Sequence, residues 1–198
     1  MPKDSTRNLF NEKFQQYLRS IKQTKLMIVI LGPGGKSPRH DKRTEIREHL
    51  RSTNKTDDVN FPEEITVPPE ALPDEGHWSK LDFTIANAQI VFALLVDSKN
   101  VTGVLSEVTR YGDKKGFREK AFLILPRKGA RVKGDYLPQI WAAAEDYPEN
   151  RKLRYSEEEL LSCILIRDYV AAKVDLYRRR LRYDEFMKKE GMTTFEYS

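Results

Sequence analysis

The sequence predicts an α/β protein: a mostly parallel sheet of about five strands flanked by helices, with a long C-terminal helix. Three observations carry this. The runs Leu26–Leu31, Ile90–Val96 and Ala121–Leu125 are continuously apolar, as strands buried on both faces are. The segments between them are long enough for crossover helices and carry apolar residues at helical spacing. A chain of 198 residues, 39% of them hydrophobic, suffices for one sizeable core.

The elements follow in order. Residues 5–24 place Leu9, Phe10, Phe14, Tyr17, Leu18 and Ile21 on one helical stripe. Leu26–Leu31 is the first strand, and the loop GPGGKSPRHD follows it. Residues 42–52 form a polar helix with Ile46 and Leu50 facing inward. Val59–Phe61 is a short second strand closed by Pro62, which cannot donate to a ladder. The proline- and acid-rich segment 62–76 is a long loop of the kind that is often functional. His77–Asn87 reads as a helix, Ile90–Val96 as the strongest strand, Val101–Tyr111 as a helix and Ala121–Leu125 as a further strand. After a basic loop at 127–135, residues 136–145 form a short helix. Ser156-Glu157-Glu158-Glu159 is a capping box that opens a helix running to about residue 189. This order divides the chain into an N-terminal helix (1–25), an α/β core (26–155) and a C-terminal helix (156–198), in a flavodoxin-like or Rossmann-like arrangement. The stripe Leu160, Ile164, Tyr169 and Leu176 is expected to cover the sheet or to form a homo-oligomer seam.

Composition excludes several classes. No apolar stretch approaches the ~20 residues that span a bilayer. The polar, charged start MPKDSTRNLF lacks the apolar run of a signal peptide. With one cysteine, Cys163, no internal disulfide can form; its apolar neighbours predict a buried thiol, and the cytoplasm is the expected compartment. The histidines His40, His49 and His77 show no metal-ligand spacing, so no metal is expected. The net charge of +5 is compatible with anionic ligands. The densest basic cluster, Arg178–Arg182, is either a solvated face or a contact for nucleic acid or an acidic protein.

A parallel sheet binds ligands beyond the carboxyl ends of its strands. The loops 32–41, 97–103 and 126–135 converge there. Gly32, Gly34, Gly35 and Lys36 resemble a phosphate cradle, since glycine lets backbone N–H groups approach an anion closely. A triphosphate-binding P-loop would need its opening glycine at position 30, which is Ile30, and a helix where Pro38 stands. The loop therefore suits a smaller group, a sugar or single phosphate, with Lys36, Arg39 and Arg43 adding charge. A tight strand-to-helix turn without a ligand remains the alternative.

Three acids stand near the same edge. Asp82 precedes a buried strand, Asp97 ends it, and Glu107 lies in the first turns of the following helix between apolar neighbours. A carboxylate held there is desolvated and suits a nucleophile or base. Each acid also has a structural alternative: a surface helix residue for Glu107 and Asp82, a strand-end cap for Asp97.

The ordered pieces ILGPGG, VNFPEE, IANAQIVFALLVD, Gly103-x-x-x-Glu107 and KAFLILP resemble the nucleoside 2-deoxyribosyltransferase family and the related TIR-like NAD-cleaving domains over about residues 26–126. The resemblance implies that Glu107 is the nucleophile that attacks the anomeric carbon, with Asp82 and Asp97 holding sugar hydroxyls or the base. It implies that the glycine loop and Gly103 border the sugar or a phosphate and that Ser98 and Ser106 hydrogen-bond the ribose. Trp78, after the acidic loop, is read from its position either as packing against the core or as stacking on a base or NAD ring. It further implies a hydrolase or glycosidase that requires no cofactor, takes NAD as a candidate substrate, and serves signalling or antiviral defence. Val101-Thr102 stands where the transferases carry Asp-Gly, so a hydrolase or a non-catalytic nucleotide-binding module stays open beside the transferase.

Overall fold

The structure is a computed structural model that describes residues 12, 15–33, 41–68, 77–97, 100–128 and 135–189. It divides into two units, Leu26–Ala171 and a second made of Met1–Lys25 with Ala172–Ser198.

The first unit is the α/β layer that the apolar runs predict. Its strands are β1 (Met27–Leu31), β2 (Asp58–Asn60), β3 (Ile90–Leu94), β4 (Ala121–Pro126) and β5 (Lys152–Tyr155), all parallel in the order β2-β1-β3-β4-β5. This is the order of flavodoxin-like doubly wound sheets. Register is set by Val29 opposite Val91 and Ala93 opposite Leu123. The helices are α2 (Lys42–Thr53), α3 (His77–Asn87), α4 (Val101–Gly112), α5 (Lys115–Arg118), α6 (Leu137–Ala143), α7 (Glu157–Ser162) and α8 (Ile164–Lys189), with α1 the described helical residues 15–23.

Strand side chains alternate between faces. Val29, Val91, Ala93 and Leu123 join Leu81 and Ile85 of α3, Val104 and Val108 of α4 and Ile140 of α6 in one buried cluster. Ile28, Ile30, Phe92 and Ile124 alternate with them and are equally buried. On that face the Phe122 ring meets Tyr169 of α8 edge-on at 6.3 Å. Burial on both faces is why these strands carry no polar alternation.

Two expectations are corrected. The capping box is present, with Ser156 Oγ accepting from Glu159 N and the Glu159 carboxylate accepting from Ser156 N. The helix it opens, however, ends at Ser162. Cys163 takes the left-handed conformation with φ 58°, and α8 starts anew. The thiol is fully buried, and burial, followed by the nearby Glu45 carboxylate, pushes it up to about 11. This break shifts the register of the buried stripe. Leu160 is buried, but Ile164 and Leu176 are 56% and 61% exposed, and Ile166, Val170 and Val174 face inward instead.

In the second unit, Tyr17 packs its ring 5.7 Å from Phe186 and donates to Arg179 O. The cluster Arg178–Arg182 is tied into this unit. Arg178 is buried and donates to Thr24 O, Arg182 reaches Thr24 Oγ1 and Glu185, and Arg179 pairs with Asp175. No described helix is long and apolar enough to cross a membrane.

Candidate active site

In the order 2-1-3-4-5 the chain leaves β1 toward one edge and β3 toward the other. The loops after these two strands diverge and open a crevice at the switch point. A cavity of about 350 Å³ lies there, at the small end of the range for ligand pockets.

Its floor is the end of β1: Leu31, Gly32 and Pro33. One wall is the 3₁₀ turn after β2, through Pro62 and Glu63, with Arg43 of α2 beside it. The opposite wall is α4, through Asn100, Gly103, Val104 and Glu107, and α3 adds Lys80 and Leu81.

The helix register places Glu107. Val101, Val104, Val108 and Tyr111 form the buried stripe of α4. Residues three and four apart are surface neighbours on a helix, so Glu107 lies at the flank of that stripe, next to Val104 and one turn beyond Gly103. Its carboxyl is pulled out of water by the apolar face, and no described residue hydrogen-bonds or ion-pairs with it. Burial first, then the Glu63 carboxylate, raise it from its ordinary value near 4.5 to about 7, against the opposing pull of Arg43. A carboxyl poised there is half-ionised at neutral pH, which suits a nucleophile or proton-transfer group.

Arg43 joins the walls. Its Nη1 donates to Gly32 O at 3.3 Å, its Nη2 pairs with Glu63, and its guanidinium stacks 4.2 Å from the Phe61 ring centre. Gly32 eases this approach: a Cβ there would stand 3.3 Å from Arg43 Cδ, and the arginine would have to give by a few tenths of an ångström. Arg47 stacks on the same ring at 4.1 Å and binds Glu64 through contacts of 2.7 and 2.9 Å, which anchors the 3₁₀ turn to α2.

Of the sequence-predicted residues, the structure brings Glu107, Gly32 and Gly103 together. Asp82 and Asp97 do not line the cavity. Asp82 accepts from Tyr111 and from Arg110 Nη2 at 3.0 Å, with Lys114 at 3.8 Å. Burial opposes its charge, but these hydrogen bonds win and hold its carboxyl below the ordinary value. Asp97 Oδ1 accepts Tyr136 N at 3.0 Å and so caps the strand end, which is the structural role weighed for it above. Ser106 points its hydroxyl back to Thr102 O at 2.9 Å on the exposed side of α4. Gly34, Gly35, Lys36 and Ser98 lie outside the described residues, as does the side chain of Trp78. Sequence reasoning missed Glu63, Lys80 and Asn100. The signal for Glu63 was its place just past a parallel strand's carboxyl end, masked by the other acids of the 62–76 segment.

Gly103 stands in the first turn of α4 with a helical backbone that alanine adopts without strain, and a Cβ there would meet nothing within 4 Å. Gly103→Ala is therefore expected to raise stability by roughly 0.4–1 kcal/mol, chiefly by restricting the unfolded chain, while narrowing the cavity. Urea unfolding and ligand titration of the same variant should show the first gain and a weaker affinity.

No protein-family profile and no curated protein sequence matches the chain. Among solved structures, the chain is similar to the crystal structure of a conserved protein from Enterococcus faecalis V583, at 18% identity over 77% of this chain and 99% of that one, with a TM-score of 0.40.

Proposed function

We propose that the chain cleaves an N-glycosidic bond in a nucleoside, nucleotide or NAD, with Glu107 as the nucleophile. The observation that carries this reading is a desolvated carboxyl, without a hydrogen-bond or ion-pair partner among the described residues, at the switch-point cavity of a parallel sheet. A Glu107 oxygen would bond to the anomeric carbon as the carbon–nitrogen bond breaks, and the base would leave with the bonding pair. Water attacking the same carbon would then release the sugar and restore the carboxyl. NAD suits this chemistry because its nicotinamide is cationic when bound and leaves neutral, with no proton to supply. The positive ring also favours the ionised form of Glu107 in a site that otherwise disfavours it.

A second reading, a non-catalytic module that binds a nucleotide signal in the same cavity, is favoured by one observation: Asp82 and Asp97 stand outside it. Incubation with NAD and a panel of nucleosides, followed by chromatography for free base, separates the two. Release by the wild type and not by Glu107→Gln supports cleavage; equal ligand binding with no base released supports the module.

A further inference from the structure

The Arg43–Glu63 ion pair is lopsided. Arg43 is held from three sides: its stem runs beneath Gly32, its Nη1 donates to Gly32 O, and its plane lies on Phe61. Its side chain is only 14% exposed, whereas that of Glu63 is 55% exposed. The cation is preorganised and its acceptor is loosely held.

Arg43 also stands in the first turn of α2, a twelve-residue helix whose positive end adds to its charge. The planar guanidinium matches a phosphate's paired oxygens better than any other side chain does. Lys80, on the facing wall, brings a second positive charge to the same cavity.

We infer that Arg43 forms a phosphate subsite of the cavity, that the Glu63 carboxylate takes the phosphate's place in the structure, and that the ligand is therefore a phosphorylated nucleoside rather than a bare one. The inference rests on reading this pocket as a nucleotide-processing site, but binding alone reads it out. Glu63 then acts as an internal competitor: the phosphate of an arriving ligand displaces it from Arg43. Its removal should strengthen binding, whereas a merely structural role would weaken it.

The test is calorimetric titration of the full chain with inorganic phosphate, with the common ribonucleoside 5′-monophosphates and with the matched nucleosides. The wild type should bind a monophosphate at least about tenfold more tightly than its nucleoside. Arg43→Gln should erase that preference. Glu63→Gln should tighten inorganic phosphate and monophosphates severalfold, while Glu64→Gln, which alters the neighbouring pair with Arg47, should not.

The inference is overturned by equal affinity for nucleoside and monophosphate, by a preference that survives in Arg43→Gln, by weaker binding in Glu63→Gln, or by the same tightening in Glu64→Gln. If Arg43→Gln fails to fold by circular dichroism, the comparison of Glu63→Gln with Glu64→Gln decides alone. Base release from bare and phosphorylated nucleosides alike would sink the subsite and leave the cleavage reading standing. Phosphate binding without any base release would do the reverse.

Discussion

Glu107→Gln is expected to cut base release by about a thousandfold or more, with ligand affinity changed far less. Glutamine keeps the shape and the position on the flank of the α4 stripe, so the cavity wall between Val104 and Gly103 stays in place. What it loses is the oxygen that bonds to the anomeric carbon. An amide neither forms that bond nor carries the negative charge that offsets positive charge developing on the sugar. Asp82→Asn and Asp97→Asn are the informative comparisons. Asp82 is committed to Arg110 and Tyr111, and Asp97 to Tyr136 N. Their replacement should lower stability and leave turnover per folded molecule near that of the wild type. Rates measured with matched folded fractions check this, and a rate loss at Asp82 equal to that at Glu107 would contradict the assignment.

The same substitution should make the protein harder to unfold above neutral pH. Glu107 has a carboxyl near 4.5 in the unfolded chain and near 7 in the fold. Between those values the unfolded chain gives up the proton and the folded chain keeps it, so stability falls as pH rises through this window and levels off above it. The full separation corresponds to on the order of 3–4 kcal/mol. Glutamine has no proton to lose. At pH 8 the variant should melt roughly 7–14 °C above the wild type, and at pH 4 the two should nearly coincide. Thermal denaturation followed at both pH values reads the difference. Equal melting at pH 8 would mean that water or a partner group already solvates the Glu107 carboxylate. A group that costs stability where the protein would work is expected at a functional site and has no structural reason to persist.

Much of the fold was legible because burial on both faces leaves a plain mark. MIVIL, IVFAL and AFLIL are apolar throughout, and their alternation with helical segments points to strands of a parallel sheet covered on both faces. β5 left no such mark. KLRY lies at the sheet edge, its Lys152 and Arg154 both pair with Glu149, and its apolar content is Leu153 and Tyr155. The break at Cys163 was hidden for another reason: a non-glycine residue with positive φ is set by tertiary packing, not by local propensity. One missed turn then displaced Ile164 and Leu176 from the predicted stripe, while Tyr169 still meets Phe122 of the sheet.

The site divides in the same way. Glu107 could be read because its helix is strongly amphipathic and the acid interrupts the edge of the apolar side. Asp82 and Asp97 look equally promising as letters. Their partners, Arg110 and Tyr111 in one case and Tyr136 N in the other, lie 28, 29 and 39 positions away, and only the folded chain reveals them. Arg43 and Glu63 were hidden as a pair because they meet across 20 positions, around the ring of Phe61.

The most direct measurement is the mass of the intact protein after rapid acid quenching during turnover of NAD or an active nucleoside, with peptide mapping of any adduct. The account predicts one added sugar unit, or ADP-ribosyl unit from NAD, esterified to Glu107 and absent from Glu107→Gln. An adduct on any other residue, or base release by Glu107→Gln at the wild-type rate, would contradict it.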